Sequence, residues 1–248
     1  MKIAVITGAS SGIGREFARQ ISQRYGKMDE LWIIARRKER LSELEKELRL
    51  DVRIFAMDLT NPEDMKQFKE HLEEVKPDIK LLVNCAGYGK VGSFEELDLE
   101  EQCGIIDINC KALTMFTGVC LPYISTHSRI INVASAAAFC PQPRFNVYAA
   151  SKSYVLSFSR ALNCELKDRK ITVTAVCPGP VDTEFFDIAG DNNNEFKKKM
   201  RVPVDKVVDK AIRDAALGNE LSVYGTMMKT AELGSKIVPH KLLMKIFK

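Results

Sequence analysis

Histidine is scarce. The chain has three in 248 residues, His71, His127 and His240, spread far apart and beside no other ligand-type side chains. Catalysis by a histidine pair and a His-ligated metal are therefore poor expectations, and no metal is expected. Seven cysteines are present, Cys85, Cys103, Cys110, Cys120, Cys140, Cys164 and Cys177, an odd number with no Cys-x-x-Cys among them. Neither a disulfide framework nor a zinc site fits that pattern, and reduced thiols in a cytoplasmic enzyme are the plain expectation. No apolar run approaches the ~18 residues of a membrane span. The apolar opening Met1–Gly8 runs straight into a Gly-rich turn, so it reads as a buried strand rather than a signal peptide. An excess of one charge is also missing: 37 Lys and Arg against 33 Asp and Glu leave +4, too little to argue for nucleic acid. With 46% hydrophobic and 28% charged residues the chain is not of a disordered or fibrous class, and its length suits one α/β domain.

What is present alternates. Apolar, β-rich runs occur at Ile3–Thr7, Leu31–Ala35, Val52–Met57, Leu81–Asn84, Arg129–Ala134 and Ile171–Cys177, with a weaker one at Leu221–Tyr224. Helical patterns lie between them, such as Arg40–Leu48 and Pro62–Val75, the latter opened by Asn61 as N-cap. Short apolar strands separated by helices predict a single-domain, doubly wound parallel sheet of about seven strands with helices on both faces, a Rossmann-type α/β fold. No repeat or composition break divides residues 1–248. The one long irregular stretch, Asp182–Pro203, carries Asn192-Asn193-Asn194 and Lys197-Lys198-Lys199, and its length suggests a lid over a binding site.

The first strand ends in Thr7-Gly8-Ala9-Ser10-Ser11-Gly12-Ile13-Gly14, and an amphipathic helix follows. Gly8 suits a tight turn, Gly12 a close backbone approach to a pyrophosphate, and Gly14 close helix–sheet packing, while the helix N-terminus offers free N–H groups to an anion. Glycines so spaced also occur in plain β–α turns; the placement between a first strand and a helix is what favours a dinucleotide. The second strand ends in Ala35-Arg36-Arg37, where NAD-binding folds place an acid for the ribose 2′-hydroxyl. Two guanidinium groups and no carboxylate favour a 2′-phosphate, hence NADP(H), with Arg15 as a further contributor; a solvated helix start is the other reading of Arg36 and Arg37.

Tyr148 and Lys152 stand at i and i+4 on one helix face, with Asn146 as N-cap. A tyrosine with a pKa near ~10 needs help to move a proton at neutral pH, and a nearby ammonium favours its phenolate. Ser135 lies just past a strand end, with twelve residues between it and Tyr148, on the sheet edge where doubly wound folds bind ligands. As a cap it would serve only the local turn. Asn109 interrupts a helical stretch, either to hold a water or as a solvated surface residue.

Taken together, from residue 1 to about 225, these motifs resemble a classical short-chain dehydrogenase/reductase. The ordered set is Thr7–Gly14, Asp58, Asn84-Cys85-Ala86-Gly87, Asn109, Ser135, Tyr148, Lys152 and Pro178-Gly179-Pro180-Val181-Asp182-Thr183. The resemblance implies a catalytic tetrad. Tyr148 exchanges the proton, Ser135 places the substrate oxygen, Lys152 binds the nicotinamide ribose and depresses the Tyr148 pKa, and Asn109 anchors a relaying water. It also implies that Gly8, Ser10, Ser11, Gly12, Ile13 and Gly14 hold the phosphates and that Asp58 and Leu59 meet the adenine. Asn84, Ala86 and Gly87 would line the nucleotide, and Pro178, Gly179, Val181 and Thr183 would hold the nicotinamide end. Cys85 replaces a frequent Asn, and the region beyond Gly225 lacks the Asp-Gly-Gly ending, resembling instead a subgroup with a basic C-terminal tail.

The expected activity is an NADP(H)-dependent hydride transfer to or from a lipophilic ketone, 3-oxoacyl compound or secondary alcohol. Apolar residues before Tyr148 and in 182–203 suit such a substrate. A non-catalytic NADP(H)-binding sensor on the same fold is the alternative, disfavoured because Tyr148 and Lys152 are both kept. A homodimer or homotetramer is expected. The tail 226–248 ends in Pro239–Lys248, whose Leu242, Leu243, Ile246 and Phe247 form an apolar stripe beside Lys241, Lys245 and Lys248. It reads as a helix that packs on protein, with contact to a membrane surface as the second choice.

Overall fold

The computed structural model describes residues 1–190 and 200–244. Seven parallel strands form one sheet: β1 (Lys2–Thr7), β2 (Glu30–Ala35), β3 (Asp51–Ala56), β4 (Asp78–Asn84), β5 (Ile124–Val133), β6 (Thr172–Val176) and β7 (Leu221–Ser222). Their order is β3-β2-β1-β4-β5-β6-β7, so the order reverses between β1 and β4 and leaves a crevice at the carboxyl ends of both.

The two-residue period of each strand divides the core. Ile3 and Val5 of β1, with Trp32 and Ile34 of β2, face one side. There they meet Phe68 and Leu72 of α3 (Pro62–Val75) and Phe116 of α5 (Leu113–Cys120). Ala4, Ile6, Leu31 and Ile33 face the other, against Phe17 and Ile21 of α1 (Gly12–Arg24), Leu41 and Leu44 of α2 (Lys38–Glu45) and Val208 and Ile212 of α8 (Val204–Ala216). Full burial of each such side chain contributes about 1.5–3 kcal/mol. A one-residue slip of β1 would exchange its two faces, so the register is tightly set.

Local chemistry fixes the ends. Asn61 caps α3, its Oδ1 accepting from the N–H groups of Glu63 (2.8 Å) and Asp64 (3.3 Å), with Pro62 in the first turn and left-handed Lys76 (φ 47°) closing the far end. Several sequence expectations shift. β4 and β5 start earlier than their apolar runs, β7 is two residues long, and α2 begins at Lys38 because Arg37 takes the extended cap position. Asn146 is the first residue of α6 (Asn146–Glu165) rather than its cap; its Oδ1 accepts from Val147 N–H at 2.7 Å while Phe145 holds the cap position.

A continuous helical run, Leu99–Tyr123, carries α4 (Leu99–Ile106) into α5 through a wide π turn at Asp107–Ala112. By length and composition it is apolar enough to cross a membrane, with mean hydropathy 1.3 over 18 residues, although no such run was expected. Ile105, Phe116 and Cys120 sit in the core, so packing accounts for part of that apolar content. The stretch 182–203 is not wholly irregular. α7 (Phe185–Ala189) lies within it, and Val181 bridges to Val202. Beyond β7 come α9 (Thr226–Ile237) and the short α10 (His240–Leu243). The sequence features at Asn192–Asn194, Lys197–Lys199 and 245–248 lie outside the described residues.

Candidate active site

A cleft of about 1530 Å³ runs along the carboxyl ends of β1, β2, β4, β5 and β6. Its floor at one end is the Gly-rich turn. Gly8 has φ +69°, and a Cβ there would stand 2.8 Å from the Ala86 amide nitrogen; a Cβ on Gly14 would collide with the Gly8 carbonyl oxygen. Both positions need the missing side chain, one for its turn and its neighbour, the other for the approach of α1 to β1. Thr7 ties the turn to the next strand end, its Oγ1 accepting from the N–H groups of Cys85 (3.0 Å) and Ala86 (3.2 Å). The bare helix start and the glycine cradle fit a dinucleotide pyrophosphate. A Gly14→Ala enzyme is expected to lose about 1–3 kcal/mol of stability, because backbone rather than a pliable side chain must yield. Its urea midpoint and its dinucleotide affinity should fall together, and an unchanged midpoint would contradict the contact.

At the end of β2, Arg37 donates from Nη2 to Ser10 Oγ (3.1 Å) and Ser11 Oγ (3.0 Å). Arg36 is 77% exposed and stands 3.7 Å from Asp58. Burial raises the Asp58 pKa, but hydrogen bonds from Thr60 and the charge of Arg36 outweigh it, and the carboxyl ends below its usual value. Arg15 does not join this patch; its Nη2 meets Glu47 at 2.7 Å, on the far side of α1. Arg40, which sequence reasoning passed over, does join it, through Glu184: Arg40 Nη1 lies 2.7 Å from both Glu184 carboxylate oxygens. These contacts, Arg40 first, hold the Glu184 carboxyl below its ordinary pKa.

At the other end Ser135, Tyr148 and Lys152 meet. Ser135 opens the short 3-10 turn Ala136–Phe139 after β5, its Oγ accepting from Ala137 N–H at 3.1 Å, so it is a cap as well as a cleft residue. Lys152 Nζ donates to Val133 O at 2.9 Å and lies 5.7 Å from the centre of the Tyr148 ring. The ring stacks on Phe145 at 4.3 Å, and Phe185 of α7 stands 5.3 Å away. Gly89 closes another side, since a Cβ there would come within 2.5 Å of Tyr148 Cδ2. This enclosure changes the electrostatics that the resemblance implied. Burial pushes Tyr148 up to about 12, with a hydrogen bond to Ser135 opposing, and pushes Lys152 down to about 8. Desolvation, rather than the lysine charge, dominates Tyr148.

Two expected residues stand behind the wall rather than on it. Asn84 Nδ2 donates to Asn132 Oδ1 (2.8 Å) and Thr117 Oγ1 (3.0 Å), directing its side chain between β5 and α5 instead of toward a nucleotide. Asn109 is fully buried in the π turn. Its Oδ1 accepts from Tyr88 N–H (3.1 Å), and its Nδ2 donates to Tyr88 O (3.0 Å) and Ser151 Oγ (2.9 Å). That overturns the reading as a solvated surface asparagine. Sequence reasoning missed Tyr88 and Ser151; the only signal for Ser151 was its place inside the Tyr148–Lys152 turn. The other expected positions, from Ile13 and Leu59 through Ala86, Gly87, Pro178, Gly179, Val181 and Thr183, all line the cleft. Among the described residues, no three His, Cys, Asp or Glu side chains come together as a metal site, and all seven thiols are free.

The substrate side of the cleft is apolar: Phe139, Phe145, Phe185, Met227, Met228 and Leu243. Met228 packs α9 onto the Pro178–Thr183 segment, where a Cβ on Gly179 would lie 2.7 Å from its sulfur.

The short-chain dehydrogenase family model matches residues 2–194. Sulfoacetaldehyde reductase 2 of Chromohalobacter salexigens is 35% identical over 192 residues, 74% of each chain. A Sphingobium yanoikuyae short-chain dehydrogenase solved with NADPH superposes with a TM-score of 0.79 at 29% identity, covering 100% of this chain and 97% of that one. An alcohol dehydrogenase of Comamonas testosteroni specific for bulky-bulky ketones gives a TM-score of 0.78 at 26% identity, over 100% and 95%. The match across most of the sheet, with the glycine turn and the Tyr–Lys helix in their places, makes this chain a member of the short-chain dehydrogenase family and an oxidoreductase.

Proposed function

We propose that this oxidoreductase is an NADPH-dependent carbonyl reductase, reversible as an alcohol dehydrogenase, acting on a lipophilic ketone or 3-oxoacyl substrate. The observation that carries the reading is the convergence of Ser135, Tyr148 and Lys152 at one end of a cleft whose adjoining wall is aromatic and methionine-rich. The glycine cradle and helix start would hold the pyrophosphate, Arg36 and a freed Arg37 the 2′-phosphate, and Lys152 the nicotinamide ribose. The bound nicotinamide supplies the hydride. Tyr148 gives its hydroxyl proton to the carbonyl oxygen as charge grows there, and Ser135 Oγ donates a hydrogen bond to the same oxygen. Phe145 and Phe185 exclude water from that oxygen, and the Lys152 ammonium, 5.7 Å from the ring centre, favours the phenolate that Tyr148 becomes.

The discriminating experiment follows NADPH absorbance across steroid ketones, 3-oxoacyl thioesters, long and short aldehydes and small ketones. Turnover of the bulky lipophilic members is expected; activity confined to small polar carbonyls, or to none, overturns the substrate reading. The Arg36→Ala variant should lose about tenfold or more of its preference for NADPH over NADH, since a charge-assisted bond to phosphate contributes about 1.5–3 kcal/mol and this site is exposed. Equal cofactor affinities in the parent enzyme would refute the 2′-phosphate reading.

A further inference from the structure

Arg37 and Arg40 are not free to take a phosphate. The Glu184 carboxylate bridges them, bidentate on Arg40 Nη1 at 2.7 Å and 3.5 Å from Arg37 Nη1. This bridge joins parts of the chain 144 residues apart, the start of α2 and the segment that follows β6. Of Arg36, Arg37 and Arg40, the first two of which line the cleft, only Arg36 lies outside the bridge. Glu184 also stands at the N-terminal cap of α7, and the next residue, Phe185, packs beside Tyr148. One carboxylate therefore connects the cation cluster at the adenosine end to the side chain that covers the proton donor.

We infer that Glu184 is an internal competitor for the cofactor 2′-phosphate on Arg37 and Arg40, and so a determinant of cofactor discrimination. The inference rests on the NADP(H) reading above. A phosphate monoester carries about −1.5 to −2 and three acceptor oxygens, so it outcompetes one carboxylate for the same forked donors. It must first displace Glu184, and that displacement subtracts from the intrinsic affinity of the site for NADPH. NADH has no 2′-phosphate and leaves the bridge closed. Because Glu184, Arg37 and Arg40 are all more than a third exposed, the competition is modest in size.

The test measures dissociation constants for NADPH and NADH on the full chain, by cofactor fluorescence and by calorimetry, at low salt and again at high salt. Parent, Glu184→Gln, Arg40→Gln and the double variant are compared. Glu184→Gln is expected to bind NADPH about 2- to 10-fold more tightly, with NADH unchanged and the gain shrinking in high salt. Arg40→Gln should weaken NADPH only, and the double variant should not recover the gain. If Glu184→Gln leaves NADPH affinity unchanged, the inference falls. If it weakens both cofactors alike, Glu184 is a clasp over the bound dinucleotide and the competition is refuted. The two readings fail separately. A parent that binds both cofactors equally while Glu184→Gln gains only on NADPH removes the NADP(H) preference and keeps the competitor. A parent preferring NADPH with a silent Glu184→Gln does the reverse.

Discussion

Tyr148→Phe is expected to bring turnover down by about 10²–10⁴-fold while dinucleotide affinity stays within a factor of about two. The substitution removes one oxygen. The ring keeps its stack on Phe145 and its contact with Phe185, and the Gly89 face it rests on is unaltered. Nothing in the glycine turn or the arginine cluster touches the lost atom, so cofactor binding serves as an internal control, while loss of the Ser135 hydrogen bond costs about 1 kcal/mol of stability. The loss should appear in kcat and in kcat/KM alike, since the missing hydrogen bond is strongest when charge sits on the substrate oxygen. A variant retaining near-parent turnover would remove Tyr148 from the proton path.

Lys152→Met should show two effects of opposite sign. Turnover falls by about 10²–10⁴-fold, through loss of the ammonium that favours the Tyr148 phenolate and would hold the nicotinamide ribose. Stability moves the other way in one pH range. Burial holds Lys152 at about 8 against an ordinary 10.5, so keeping it charged costs the fold on the order of 3 kcal/mol at neutral pH. Removing the ammonium also strands the Val133 carbonyl that it bonds, which costs back about 1–3 kcal/mol. The net change at pH 7 is therefore small. The pH slope is the sharper observable. Between pH 8 and 10.5 the unfolded lysine holds its proton and the folded one does not. The parent therefore gains stability on the variant as pH rises through that window. Denaturant midpoints that run parallel from pH 7 to pH 10.5 would contradict the buried charge.

How much of this was legible beforehand follows the distance between the residues concerned. Thr7–Gly14 and the Tyr148–Lys152 turn are contiguous, and their chemistry follows from spacing alone; so does the alternation that divides Ile3 and Val5 from Ala4 and Ile6. The Asn61 cap was readable for the same reason. The electrostatics of Tyr148 were not. Its neighbourhood is assembled from Gly89, Phe145 and Phe185, which no local pattern joins, and their combined burial outweighs the lysine next to it. Asn109 illustrates a half-reading. A poor helix former in an apolar helix signalled an interruption, and the π turn is there, but its partners Tyr88 and Ser151 come from two other elements. Arg15 was expected in the arginine patch because it starts α1, yet Glu47, beyond the end of α2, claims it.

The attachment of α9 has a consequence for retargeting. None of its residues is fully buried, and Gly225, with φ +87°, turns the chain into it just after β7. The sheet, the glycine turn and the Ser135–Tyr148–Lys152 cluster are complete before that hinge, whereas Met227, Met228 and Leu243 come after it. The apolar wall is thus supplied in two instalments, Phe139, Phe145 and Phe185 before Gly225 and Met227, Met228 and Leu243 after it. A graft made at Gly225 would exchange the later half of that wall and leave Ser135, Tyr148 and Lys152 in place, which makes the stretch from 226 onward a natural cassette for library construction.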